Sequence, residues 1–235
     1  MSMTKTQVVA LLKENQNKRG IENWKKLGDK RGGLKSFGIG LTQLRRIAKQ
    51  IGRDPKLAEK LWKSDIYDAK IIALLIDDPK QVTREQAEEQ VEQLDSGMLV
   101  HVFSSCDATL AKTPFALDLA RAWMGSDDEI RRRCAYGLIY ELSKKNPQGM
   151  DDALLLEIIE HIQNEIHQEE MWVREAMNAA LLGIGKRNKK LNRAAIKAAR
   201  TIGPVDVDYG DDNRCEPIDV LKHLTSDHAK KKLGS

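Results

Sequence analysis

Asp107 is the residue whose surroundings in the sequence most suggest chemistry. It closes the segment Phe103-Ser104-Ser105-Cys106-Asp107, which continues the apolar run Met98-Leu99-Val100-His101-Val102-Phe103. That context places Asp107 near a helix and not at a loop tip. Phe103 stands four residues earlier, a spacing that puts both side chains on one helical face. A carboxylate beside an aromatic ring suits a reaction in which a sugar becomes cationic. The carboxylate stabilises the developing charge, and the ring face adds cation–π attraction. Taken alone, the pair favours a plainer arrangement, with Asp107 capping a helix or pairing with an arginine and Phe103 in the core. Arg133 is the second candidate. In Ile130-Arg131-Arg132-Arg133-Cys134-Ala135-Tyr136 the apolar neighbours set it at the border of a buried face. There it can bind a phosphate, orient Asp107 or make a structural salt bridge.

Positive charge gathers in the second half. Lys186, Arg187, Lys189, Lys190, Arg193, Lys197 and Arg200 follow one another with no acidic residue between them, and Arg131-Arg132-Arg133 and Lys144-Lys145 form smaller clusters. Helix ends carrying such groups suit phosphate contacts. Lys186 and Arg187 also stand where a helix C-terminus attracts cations, so solvated faces or another polyanion fit the same charges.

The elements that must position these residues are helices. Val8, Leu11 and Leu12 mark a first short helix, and breaks follow at Gly32-Gly33 and at Gly38 and Gly40. Thr42 is positioned to cap the next helix, whose apolar face is Leu41, Leu44, Ile47, Ala48 and Ile51 and which Gly52 stops. Helices are expected at 56–62 and 66–76, the latter ended by Asp77-Asp78-Pro79, and then at 84–94, where Thr83 and Gln86 have capping-box spacing. Further helices are expected at 97–111, 114–124, 127–145, 151–163, 169–187, 189–202 and 216–224. Met171, Trp172 and Met177 read as core. An irregular acidic segment spans 203–217, and no boundary divides 1–235 into separate domains. Helix pairs spaced roughly 35–45 residues apart suit an all-α, HEAT-like helical-repeat solenoid, with an irregular bundle as the alternative.

Composition narrows the function. The chain of 235 residues carries a net charge of only +4, so charge distribution and not total charge bears on nucleic-acid binding. Cys106, Cys134 and Cys215 are far apart and lack metal-type spacing, and an odd number of cysteines without a secretion signal argues against a disulfide scaffold. Asp206, Asp208, Asp211, Asp212, Cys215 and His223 match no zinc or calcium loop, so no metal is expected there, and with no nucleotide-binding glycine motif no organic cofactor is expected either. His161 and His167 have no evident catalytic partner. No apolar run approaches the roughly 20 residues of a membrane span, and a cytoplasmic protein with no membrane contact is the plain reading.

Several segments, in order, resemble the DNA alkylation repair family, the AlkD-like HEAT-repeat DNA glycosylases. They are Phe37-Gly38-Ile39, Leu44-Arg45-Arg46-Ile47-Ala48-Lys49, Leu57-Ala58-Glu59-Lys60-Leu61-Trp62-Lys63-Ser64, the run from Ala69 to Pro79, Val173 to Leu181, and Ile184-Gly185-Lys186-Arg187-Asn188. The resemblance covers roughly residues 36–224. It implies a helical-repeat surface that binds double-stranded DNA carrying an alkylated purine, and cleavage of the N-glycosidic bond without a metal. In that family an aspartate stabilises the sugar cation, two tryptophans contact the DNA backbone, and an arginine supports the site. The aspartate matches Asp107 and the arginine Arg133, or Arg132 if the register moves by one. The first tryptophan falls at Phe103 and the second at Ala179, while Trp172 lies about two helical turns before Ala179.

The resemblance therefore implies an alkylpurine DNA glycosylase with Asp107, Arg133 and Phe103 at the reacting centre. Lys186, Arg187, Lys189, Lys190 and Arg193 would lie on the DNA backbone. Replacement of both tryptophans leaves two alternatives: a non-catalytic relative that binds bent or branched DNA, and a helical-repeat scaffold with a protein partner.

Overall fold

The computed structural model describes residues 3–27, 32–95, 97–145, 147–209 and 215–234. Regular structure among them is helical, apart from an isolated parallel bridge between Lys35 and Ile66. The chain divides by its internal contacts into Met1–Thr113 and Pro114–Ser235.

The first unit holds α1 (Lys5–Glu14), α2 (Lys18–Lys26), α3 (Leu41–Ile51), α4 (Pro55–Trp62), α5 (Tyr67–Ile76), α6 (Arg84–Val91) and α7 (Gly97–Ser104). Helix α5, with the sequence YDAKIIALLI, is apolar on nearly every side and is buried on nearly every side. Such a helix must be surrounded, and α3, α4 and α7 pack against it. Contact between α3, α5 and α7 skips one helix each time, as stacked two-helix repeats require. Capping follows the sequence closely at α4. There the Asp54 side chain accepts from the Leu57 amide at 2.9 Å, and Pro55 opens the helix. At α6 only half of the expected box forms. Thr83 accepts from the Gln86 amide, but the Gln86 side chain turns to Asp77 instead of back to the cap.

Two charged residues of α5 are buried. Lys70 donates to the Trp62 carbonyl at 2.6 Å and lies 4.4 Å over the Trp62 ring, and burial holds its pKa below the usual lysine value. Asp68 accepts from the Ser36 hydroxyl and from the Phe37 and Ile39 amides, at 2.8, 2.8 and 3.0 Å. This carboxylate fixes the loop ahead of α3, and the consequence appears at the next cap. Gly40, not Thr42, precedes the helix, because the pinned loop delivers an extended Gly40 to the first turn while Thr42 is exposed within it. Gly38 in the same loop has φ +68, and a Cβ there would overlap the backbone of Gly20 and Ile21 in α2.

The second unit holds α8 (Ala116–Met124), α9 (Glu129–Ser143), α10 (Asp152–Glu165), α11 (Met171–Gly185), α12 (Lys189–Ile202), α13 (Val220–Leu224) and α14 (Asp227–Leu233). Helices α9 and α11 take the part that α5 takes in the first unit. Both are buried along most of their length, packed on each other and flanked by α8, α10, α12 and α13. The α9, α11, α13 and α10, α12 contacts again skip one helix. Helix α14 was not expected from the sequence; it is short and mostly polar, with Ser226 capping it. The acidic segment forms neither helix nor strand where it is described, and Asp211 and Asp212 lie outside the described residues.

Asp68→Ala is expected to lower the stability of the protein by about 3 kcal/mol, since three donors lose a charged acceptor. Urea unfolding followed by circular dichroism would measure it, and an unchanged midpoint would mean that the loop is held by something else.

Candidate functional site

Helix α7 stops at Ser104, seven residues short of the helix expected at 97–111. The Ser105 amide still reaches the His101 carbonyl at 2.8 Å, and then the backbone turns left-handed at Cys106 (φ 56) and Asp107 (φ 63). Among the described residues these are the non-glycine positions with positive φ. Such a conformation costs about 1–2 kcal/mol per residue, so packing must impose it. Phe103 and Ser104 on one side of the bend are buried, and so are Ala108, Thr109, Leu110 and Ala111 on the other. Only a tight reversal lets both runs reach the core. The Thr109 hydroxyl locks the far side by donating to the Leu74 carbonyl at 2.8 Å.

Cations of α3 and its C-terminal turn hold the bend from outside. Arg45 donates to the Cys106 carbonyl at 2.7 Å. Arg53 donates to Thr109 Oγ1 and to the Leu75 carbonyl, both at 3.1 Å, and to the Asp77 carbonyl. Lys112 Nζ lies 2.9 Å from the Asp107 carboxylate. With Lys49 these residues line a cleft of about 560 Å³ that also exposes Cys106 and Asp107. Cys106 Sγ is 2.6 Å from His101 Nε2. The arrangement is one carboxylate, 74 % exposed, in a cationic setting. Phe103, by contrast, is only 2 % exposed and belongs to the core. Because the helix ends before Asp107, the two residues do not share a helical face.

Arg133 lies in the second unit, as does its neighbour Arg132, and the two have different surroundings. Arg132 is tied to Glu169 at 3.0 Å and Glu170 at 2.6 Å, and to the Ser126 carbonyl at 2.9 Å. Arg133 is buried, with its guanidinium carbon 5.0 Å from the centre of the Trp172 ring. Trp172 is therefore not plain core. It is half-buried, with Arg133 against it and Tyr209 meeting it edge-on at 5.8 Å. Burial pushes the Tyr209 hydroxyl up to about 12. Ala179 presents only a methyl group on α11, and the adjacent Asn178 donates to the Ile218 carbonyl at 2.7 Å, fastening the C-terminal segment to this helix.

On α12 the apolar residues Leu191, Ala195, Ala198, Ala199 and Ile202 face inward. Lys190, Arg193, Lys197 and Arg200 fall on the opposite side at helical spacing and are exposed, as is Lys189. Lys186 and Arg187 stand apart from that stripe and are half-buried at the end of α11. Sequence reasoning missed Arg45, Arg53 and Lys112 as neighbours of Asp107. Arg45 on α3 and Arg53 just past its end are distant in sequence and carry no local signal. Lys112, five residues on, became a neighbour only through the left-handed bend.

A family model described as DNA alkylation repair enzyme matches residues 8–224. The uncharacterized protein Lmo0209 of Listeria monocytogenes is 25% identical over 200 residues, which is 81% of this chain and 83% of that protein. The uncharacterized protein Lin0241 of Listeria innocua is 26% identical over the same shares. A solved structure from a new family of proteins related to the HEAT-like repeat DNA glycosylases, with affinity for branched DNA structures, matches with a TM-score of 0.80 and 23% identity. The match covers 99% of this chain and 97% of that one. The fold is thus the all-α, HEAT-like repeat fold.

Burial also holds the Glu175 carboxyl above its usual range, against the opposing pull of Arg133. A carboxyl with a raised folded-state pKa binds its proton more tightly when folded. Its contribution to stability is present below its unfolded value and is lost as pH rises through the folded one. Glu175→Gln should therefore unfold at a higher urea concentration than the parent at neutral pH, with the gap closing towards about pH 4. A gap that does not vary with pH would refute this.

Proposed function

Because the chain belongs to the DNA alkylation repair enzyme family, we propose that it binds DNA through the phosphate backbone and prefers branched forms, with base excision at most a slow accompaniment. The observation that carries the reading is the exposed stripe Lys190, Arg193, Lys197 and Arg200 on α12, which has no acidic residue on its helix. Four cations at successive turns suit a phosphate backbone and release its counterions on binding. The structural neighbour's affinity for branched DNA supports the choice of DNA form.

The aromatic positions explain the low weight given to excision. Phe103 is packed inside its unit and Ala179 offers no ring. Each lost aromatic contact removes about 1 kcal/mol of cation–π or stacking stabilisation, or roughly five- to tenfold in rate. Lys112 further offsets the Asp107 charge, although an exposed pair of this kind contributes under about 1 kcal/mol.

Excision remains the second reading because of one observation. Asp107 is held exposed in a conformation that costs energy, and strain of that kind collects at functional sites. In this reading Asp107 stabilises the sugar cation as the bond to an alkylated purine breaks.

Two assays on one DNA set separate the readings. Binding of a duplex and a four-way junction should weaken steeply with salt, and the double variant Arg193→Gln/Arg200→Gln should lower the slope by about two. Salt-independent binding would refute the backbone reading. Release of 7-methylguanine by the parent but not by Asp107→Asn would establish excision; no release from either would leave binding as the function.

A further inference from the structure

The C-terminal ends of α9 and α11 lie side by side in the second unit, and Gly183 makes their approach possible. A Cβ at Gly183 would come within 2.8 Å of the Tyr140 ring and 3.4 Å of Ser143 Cβ. The gap left at these ends is a pocket of about 500 Å³, lined by Tyr140, Lys144, Asp152, Lys186, Arg187 and Lys232, among others.

Two of its cations are already anchored. Lys144 lies 2.8 Å from Glu141 and 4.0 Å over the Tyr140 ring. Arg187 donates to the Met150 carbonyl at 3.2 Å. Asp152, the acidic residue in the lining, accepts from the Asn188 amide group at 2.9 Å while Asn188 caps α12. Lys186 and Lys232 are the other two cations of the lining, and among the described residues no ion pair joins either to a carboxylate. Burial and the nearness of Lys232 and Lys144 hold the Lys186 pKa below the usual lysine value.

Charge compensation by the helices is the ordinary explanation for such residues, since Lys144 and Lys186 directly follow two helix ends. Each end supplies roughly half a negative charge. The two C-terminal ends, Glu141 and Asp152 do not supply enough negative charge to balance the four cations, and the positive N-terminal ends of α10 and α12 at the same pocket add to the excess. A positive excess of this kind suits a phosphate group.

We propose that this pocket is a phosphate-binding site, separate from the α12 stripe, in which Lys186 and Lys232 grip one phosphate group and the anchored Lys144 and Arg187 frame it. The phosphate belongs either to bound DNA, where it would seat a second arm of a branched molecule, or to a free phosphorylated compound. Only the first assignment rests on the DNA-binding reading.

The test is calorimetric titration of the full chain with pyrophosphate at low ionic strength, repeated with Lys186→Gln and Lys232→Gln. Each substitution should weaken binding at least fivefold. Lys232 is on an exposed short helix, so Lys232→Gln keeps the test valid if Lys186→Gln fails to fold. Junction binding measured on the same proteins assigns the source. A salt slope lower by about one in each variant places a DNA phosphate in the pocket. Unchanged junction binding alongside lost pyrophosphate binding places a free phosphate there. Pyrophosphate binding without any junction binding by the parent would defeat the DNA reading and leave the pocket standing. The proposal is overturned if neither substitution alters pyrophosphate or junction binding.

Discussion

Helix α5 has almost no polar face and α9 and α11 are buried along most of their length, and the need to surround them governs the rest of the structure. A helix that is apolar all round is stable in water only when neighbours cover it on every side. Within the first unit α3, α4 and α7 do this for α5; within the second, α8, α10, α12 and α13 do it for the α9 and α11 pair. Few sites in the middle of these helices remain for charge, and those present need specific partners, as Asp68 and Lys70 show.

Chemistry is consequently displaced to the ends of helices. Arg53 follows the end of α3, Cys106 and Asp107 follow α7, Lys144 follows α9, and Lys186 and Arg187 follow α11. Each is a C-terminal end, where carbonyls are unsatisfied and cations are favoured. Asp107 is the exception in sign. A carboxylate gains nothing from a helix C-terminus, and here it is held there by a bend that the burial of Ala108 to Ala111 imposes. That contrast makes Asp107 more informative than the cations around it.

The helices were legible because amphipathic spacing recurs, and Thr83 caps α6 where its spacing to Gln86 sets it; Asp54, Asp128, Asp151 and Asn188 cap four others. The sequence was least legible where tertiary contacts overrule local preference. Gly40 replaces Thr42 as a cap because Asp68, from α5, fixes the preceding loop. Helix α7 ends seven residues before 111 because neither Cys106 nor Asp107 announces a left-handed turn as glycine would. Trp172 reads as core by its neighbours, yet its partners Arg133 and Tyr209 come from far along the chain. The pocket between the ends of α9 and α11 was equally hidden. Lys186 was visible as a charge, but Gly183 and Lys232 acquire meaning only through packing.

The bond from Thr109 to the Leu74 carbonyl bears on the order in which the chain assembles. Helices that pair with their next-but-one neighbours make contacts of short sequence separation, and such contacts form early and fast. During synthesis from the N-terminus, α3, α4 and α5 can associate before α7 emerges. The acceptor at Leu74 is then waiting when Thr109 arrives, and so are Arg45 and Arg53, which go on to donate to the Cys106 carbonyl and to Thr109. In that order the costly left-handed bend closes onto a surface already formed.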